Sequence, residues 1–342
     1  MTKTPESTDV AIIGAGPAGL FAVFECGMMN MRCHVIDVLE AVGGQCQALY
    51  PEKPIFDIPG HPEILAGDLV MKLERQAAPF DPVYHLGQQV VKLAQGERGR
   101  WLLETSRGVS IDAQVVFVAA GVGAFGPKRP PLQGIERFEG KSIHYLVKNR
   151  EDLRGKKVVI AGGGDSAVDW AISLAGLAAK VSVVHRRAKF RAAPASAEKL
   201  QKLADGGAVD LVIPFQLAAI EGDGDSLKAV LARDLDGNER RLEADALLAF
   251  FGLSQNLGPI VDWDLDLNGS LIAVDPTTGA TNKPGIFAIG DIATYPGKLK
   301  LILSGFAEVA QAARAAHPLV HPGEELHFEY STIQGVPGKL IR

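Results

Sequence analysis

Val10-Ala11-Ile12-Ile13-Gly14-Ala15-Gly16-Pro17-Ala18-Gly19 decides the fold. Four apolar residues make a short buried strand, and the glycine-rich turn opens a helical pattern that runs to about Met28. Cys33-His34-Val35-Ile36-Asp37 then reads as a second strand, which completes a β-α-β unit of a parallel sheet. Within Gly14-x-Gly16-x-x-Gly19 each glycine has its own task. Gly14 permits the tight turn, Gly16 lets backbone approach a pyrophosphate, and Gly19 lets helix and strand pack closely. The helix start presents unpaired N–H groups and the positive end of its dipole to phosphate. Asp37 follows Gly19 by 18 residues and ends the second strand, where a carboxylate bonds a ribose hydroxyl. A plain glycine turn needs neither the flanking elements nor the acid, so the stretch predicts a nucleotide site.

The architecture returns 148 residues later, with the glycine at position 14 matched by the one at 162. Lys157-Val158-Val159-Ile160-Ala161 runs into Gly162-Gly163-Gly164-Asp165-Ser166-Ala167, a helix follows to about Ala178, and Val181-Ser182-Val183-Val184-His185 comes next. The same offset carries Asp37 onto His185, which is followed by Arg186, Arg187 and, further on, Arg191. A carboxylate repels a 2′-phosphate, whereas guanidinium groups bind one through paired hydrogen bonds. Gly162, Gly164, Asp165, Ser166, His185, Arg186, Arg187 and Arg191 are therefore the candidate NADP(H) residues. A solvated basic helix start could also carry an arginine pair. The register with the first repeat favours the nucleotide.

Working outward, 342 residues suffice for two domains. Apolar residues make up 47% and charged residues 22%, as in a globular chain. A net charge of −5 provides no basic field for nucleic acid. Cys26, Cys33 and Cys46 form no Cys-x-x-Cys, disulfide framework or zinc spacing. The polar start MTKTPESTD lacks a signal-peptide layout, and the apolar stretch from Val10 to Met29 is interrupted by Glu25 and glycines. The expectation is a cytoplasmic protein without a membrane span or a metal site. His61, His144, His317, His321 and His327 read as isolated.

Val83 to Leu86, Val90 to Leu93, Trp101 to Thr105 and Val109 to Ile111 predict a small antiparallel layer. Val115 to Val118 is predicted to return to the parallel sheet. Gly121 to Pro131, with three Gly and three Pro, marks one boundary, and the chain crosses back near Thr281. Leu211 to Ile213, Leu227 to Ala232 and Ala246 to Phe250 form the second domain's own strand series. A helix from about Leu301 to Ala316 precedes an irregular tail from His317 that carries Phe328 and Tyr330. The predicted class is α/β, two Rossmann-like three-layer domains with the first discontinuous, plus a C-terminal extension. Residues 1–122 and 282–342 belong to the first domain, including the tail 317–342, and 123–281 to the second.

Thr281 to Asp291 contains a further buried strand, Ile286-Phe287-Ala288-Ile289, ending in Gly290-Asp291. That puts a carboxylate at the ligand-binding edge of a parallel sheet, although Asp291 also suits a helix cap. Together with the two fingerprints and Gly43-Gly44-Gln45, this stretch resembles flavoproteins with two dinucleotide-binding domains. Within them the second fingerprint and His185-Arg186-Arg187 look like bacterial thioredoxin reductase. That enzyme carries a Cys-x-x-Cys where this sequence has Ser142 to Val147 without cysteine, and thiol–disulfide exchange by that route is excluded. The chain is instead similar to the thioredoxin-reductase-like type of ferredoxin–NADP(+) reductase, with Gln45-x-x-x-x-Tyr50 and Tyr330-Ser331-Thr332 as its more specific marks.

The resemblance implies FAD contacts at Asp37, Gln45, Tyr50, Val90, Phe125, Asp291 and Thr332. Tyr50 would stack on one flavin face, and Tyr330 or Phe328 would cover the other. It further implies a homodimer that passes electrons between NADPH and ferredoxin or flavodoxin through the flavin. No acid–base or nucleophilic residue is then required. An NADPH-dependent flavin oxidase or quinone reductase, or a non-enzymatic NADPH sensor, would use the same two sites. Lys128-Arg129, Arg154 with Lys156-Lys157, and Lys298 with Lys300 are candidate contacts for an acidic partner.

Overall fold

The computed structural model describes residues 4–147, 149–325 and 335–336, with side chains for all of these except 124–127 and 253–255. The chain divides into two compact units, Met1–Phe125 with Gln255–Arg342, and Gly126–Ser254. Two connecting strands, Ala124–Pro127 and Leu253–Asn256, pair with each other where the chain crosses.

The first unit is built on a seven-stranded sheet. Its parallel part sets Glu6–Ile13 between Cys33–Ile36 and Ser110–Val118, with Val83–His85 beyond Cys33–Ile36 and Ile286–Ala288 against Ser110–Val118. Ser110–Val118 also heads an antiparallel extension through Trp101–Thr105 to Val90–Gln95. Its burial changes along its length to match. The first residues alternate between half-buried and buried, and the last four are all buried. One face is open in the antiparallel part, and both are covered in the parallel part.

Two expectations change here. Residues 110–111 and 115–118 belong to one strand, and Val83–His85 joins the parallel edge instead of the antiparallel layer.

One face of this sheet, including Val10, Ile12, Val35 and Phe117, packs on the helices Pro17–Met28 and Ile302–Val320. On the other face, Ile36, Val116 and Val118 pack on Leu257, Ile260, Trp263 and Ile272. Residues 255–281 thus complete the first unit's core, and the return crossing lies at 254/255 instead of near 281. The closing helix continues past Ala316 to Val320, so His317 and Pro318 are helical.

The second unit has a five-stranded parallel sheet, ordered Ile143–His144, Ala246–Ala249, Lys157–Ala161, Lys180–Val184, Asp210–Val212. Helices Asp165–Leu174 and Pro194–Asp205 bury Val168, Ala171, Leu174 and Leu200 on one face. An antiparallel sheet of Gln216–Asp223, Ser226–Arg233 and Glu239–Glu243 covers the other through Leu227, Val230 and Leu242. This makes three layers. Leu227 to Ala232, expected as one of the second domain's strands, belongs to that covering sheet. The first helix stops at Leu174 because Gly176, at φ +91°, turns the chain.

Candidate functional site

In the first unit the strand Glu6–Ile13 ends at Gly14, whose φ is +113°. A Cβ there would lie 2.3 Å from the Ala119 carbonyl oxygen. Gly19 meets the turn from the helix side, and a Cβ on it would fall 1.9 Å from the Gly14 oxygen. Gly16 caps the helix Pro17–Met28 without a side-chain hydrogen bond, which leaves the first N–H groups free for a ligand. A second glycine pair closes on this turn. The Gly43 N–H donates to the Ala15 carbonyl at 2.8 Å, and a Cβ on Gly44 would come within 3.1 Å of Gly16 Cα.

Asp37 sits at the rim of this turn. Its Oδ2 accepts the Ala15 N–H at 2.6 Å and its Oδ1 accepts that of Leu39 at 2.8 Å. Burial raises the Asp37 pKa, and the amide donors of Leu39, Ala15 and Val38 oppose the shift. The spare lone pairs of both oxygens suit a ribose diol.

Gly14, Gly16, Asp37, Gln45, Tyr50, Val90 and Asp291 all line one cleft, of about 1170 Å³ counted to its open mouth. Gly19 lies behind it as packing. Phe125 is in a described strand without a described side chain, and Phe328, Tyr330 and Thr332 fall outside the described residues. The Tyr50 hydroxyl is pushed up by burial and by the Cys46 thiol. Burial pushes Cys46 itself up to about 11. Neither ionises near neutral pH, so these two groups offer polarity without proton exchange.

Sequence reasoning missed the far wall of the cleft. Leu301, Ile302 and Gly305 line it from the start of the helix Ile302–Val320, which has no side-chain cap. A second set of free N–H groups therefore opens on the cleft, suited to negative charge. Leu257, Ile260 and Trp263 form another wall, invisible while their segment was assigned to the second domain. Asp291 lies in the short turn Gly290–Ile292, and the closing helix takes Leu301 as its N-cap, so Asp291 is not that cap. The turn is held from behind by Glu308, which accepts the Gly290 N–H at 2.8 Å and the Tyr295 hydroxyl at 2.7 Å and pairs with Lys298. The Lys298 side chain is only 5% exposed and so leaves the set of surface contacts.

The second unit repeats the turn with different chemistry. Gly162, at φ +157°, would place a Cβ 2.6 Å from the Phe250 oxygen, and Gly164 caps the helix Asp165–Leu174 without a side-chain bond. Asp165 accepts the Ala193 N–H at 2.9 Å, and Ser166 is exposed. The His185 ring is buried beneath the turn. It stacks on Phe190 at 5.2 Å, and a Cβ on Gly163 would meet it at 2.1 Å. Burial lowers the His185 pKa, partly opposed by its bond to the Lys189 carbonyl, while the charges of Arg187, Arg191 and Arg186 lower it further.

Arg186, Arg187 and Arg191 are exposed, and Arg191 is drawn to the turn by its N–H bond to the Gly163 carbonyl at 2.7 Å. Ser142, at the head of the stretch 142–147 that holds no cysteine, is spent on structure. Its hydroxyl bonds the Asp225 carbonyl and the Leu227 N–H.

The sequence matches the family described as pyridine nucleotide-disulphide oxidoreductase over residues 8–316. The chain belongs to that family. A protein of Paramagnetospirillum magneticum named ferredoxin--NADP reductase is 64% identical, over 96% of this chain and 98% of its own. One of the same name from Rhodospirillum rubrum is 59% identical over 98% of both. Thioredoxin reductases of Lactococcus lactis and T. acidophilum superpose with TM-scores of 0.78 at 23% and 24% identity, covering 92% and 91% of this chain and 99% and 98% of theirs. At that identity they speak to the fold alone. The family depends on FAD and NADP(H), two dinucleotides, and the chain carries two glycine turns. No helix among the described residues is long and apolar enough to cross a membrane.

Proposed function

We propose that this protein is a ferredoxin–NADP(+) reductase, an FAD-dependent oxidoreductase exchanging electrons between NADPH and ferredoxin or flavodoxin. The observation that carries this reading is the pair of glycine turns, one closed by Asp37 and the other followed by Arg186 and Arg187, with no dithiol between them. When bound, FAD supplies the exchange between two-electron and one-electron chemistry. The chain's part is to bind, orient and shield. The free N–H groups behind Gly16 would take the pyrophosphate, Asp37 the adenosine ribose, and Gln45, Tyr50 and Val90 the flavin end. The uncapped start of Ile302–Val320 would steady negative charge arising in the cleft. In the second unit Gly162 and Gly164 would admit the NADP(H) pyrophosphate, with Arg186, Arg187 and Arg191 gripping the 2′-phosphate.

The family resemblance supports Thr332 as a further FAD contact and Tyr330 as the ring over the flavin's second face. Tyr330 would then move aside for the nicotinamide. The same resemblance supports a cytoplasmic homodimer. Of the basic groups offered for an acidic partner, Arg129, Arg154 and Lys157 are already paired with Glu139, Glu151 and Glu243, while Lys128 and Lys300 are exposed. The test is NADPH turnover with ferredoxin, with a quinone, and with oxygen alone. A rate with ferredoxin at least tenfold above the others supports the reductase. Equal rates with quinone favour the quinone-reductase reading, and no turnover favours a sensor.

A further inference from the structure

We propose that Glu6, His34 and His85 form a binding site for a zinc-class divalent cation, apart from the nucleotide cleft. The three belong to neighbouring strands. Glu6 opens Glu6–Ile13, His34 lies in Cys33–Ile36, and His85 ends Val83–His85. Parallel pairing sets His34 beside Val83 and His85 beside Ile36, so the rings are diagonal neighbours on one face. His34 Nδ1 and His85 Nε2 are 3.0 Å apart, and each lies 3.8 Å from Glu6 Oε2.

A point equidistant from those three atoms lies about 2.1 Å from each, the length zinc makes to imidazole nitrogen and carboxylate oxygen. Tetrahedral bonds of that length hold ligand atoms roughly 3.3–3.4 Å apart. Shifts of a few tenths of an ångström would therefore lift the ion from the ligand plane and open a fourth position for water. The ring side chains are 12% and 8% exposed, whereas Glu6 is 51% exposed, which gives the ion a way in.

The donor set selects the cation. Two imidazoles and one carboxylate suit a borderline ion such as Zn2+, and disfavour Mg2+ and Ca2+, which take oxygen ligands. Burial favours the neutral ring of both histidines, the form that ligates. The nearby positive charge of Arg32 opposes a cation, but its guanidinium is paired with Asp9 at 3.2 Å. The consequence is structural. Val83–His85 is an edge strand, and a cation would pin it and the start of the first strand to Cys33–Ile36. The His85 carbonyl also accepts the Asp37 N–H at 3.1 Å, so the clamp would steady the strand end that carries Asp37.

The experiment uses tag-free, FAD-loaded, EDTA-treated protein. Bound metal is counted by mass spectrometry after gel filtration with Zn2+ or Mg2+, and affinity is measured by calorimetry. One zinc per chain is expected, with Tm raised by about 5 °C at a hundredfold excess over Kd and no effect of Mg2+. Glu6→Gln and His34→Gln should each weaken zinc binding at least tenfold and remove the Tm rise. FAD content and metal-free NADPH turnover should stay unchanged. Glu6 is half-exposed, so Glu6→Gln decides alone if His34→Gln does not fold. The proposal is overturned if the wild type takes up no zinc, as a plain imidazole–imidazole hydrogen bond would give. It is overturned too if Mg2+ binds equally, or if zinc survives Glu6→Gln and is lost in His321→Gln, which would place it on the His317–His321 ring pair.

Discussion

The two glycine turns are built on one frame and differ where charge matters. Gly14 and Gly162 each press against the carbonyl that follows the next strand of their sheet, Ala119 in one unit and Phe250 in the other. The divergence lies one residue on and at the end of the second strand. Ala15 donates its N–H to Asp37, whereas the equivalent pair is Gly163 and His185, with the ring filling the space a Cβ would need. A small acid leaves room for an alanine and suits a diol. A buried imidazole demands a glycine, and the exposed charges on that side are the arginines beyond it. The pairs 15/37 and 163/185 must therefore change together.

The largest effect should come from the third glycine position. Gly19→Ala forces a Cβ to 1.9 Å from the Gly14 oxygen, so little flavin-loaded protein should be recovered on expression. The second unit already carries Ala167 at the matching place, and Ala167→Gly should cost only about 1 kcal/mol by thermal or denaturant unfolding.

Next is the arginine pair. Arg186→Ala with Arg187→Ala removes contacts worth roughly 1.5–3 kcal/mol, so the NADPH KM should rise at least tenfold while that for NADH barely moves. Steady-state kinetics with both cofactors checks this, and equal losses would mean the arginines do not read the 2′-phosphate.

Exchanging the coupled pair probes the comparison itself. Gly163→Ala alone should destabilise the second unit by driving a methyl group into the His185 ring, and adding His185→Asp should restore its Tm. The double variant, with an acid facing the ribose, should also narrow the preference for NADPH over NADH. A double variant no more stable than Gly163→Ala would break the equivalence.

The smallest effect is one of pH. The His185 pKa is lowered in the folded state, so the unfolded chain binds more protons as pH falls below about 6.5. The contribution of His185 to stability is therefore level above that pH and declines beneath it. His185→Phe should flatten part of that acid slope in Tm measured against pH, and an unchanged slope would place the proton uptake elsewhere.

Both strand–turn–helix units were legible because glycine spacing and apolar runs are local signals. The lining that came from Gly14, Asp37 and Asp291 was legible for the same reason. The walls supplied by Leu257, Trp263 and Gly305 were not, since those residues reach the cleft only through long-range packing. Val83 to Leu86 read as antiparallel because strand direction depends on its partner, Cys33–Ile36, which no local pattern names. Lys298 read as a surface charge because its partner, Glu308, lies one helical segment away. His34 and His85 passed unnoticed for want of any sequence spacing that brings them together.

The division of labour between the two turns is tested most directly by competition with fragments of the cofactor. Adenosine 2′,5′-bisphosphate and adenosine 5′-phosphate would each be titrated against NADPH on the flavin-loaded enzyme while FAD release is followed by fluorescence. The bisphosphate should inhibit at least tenfold more strongly, since it alone offers Arg186 and Arg187 a 2′-phosphate, and neither compound should displace FAD. Equal inhibition by the two, or displacement of FAD by the bisphosphate, would contradict the account.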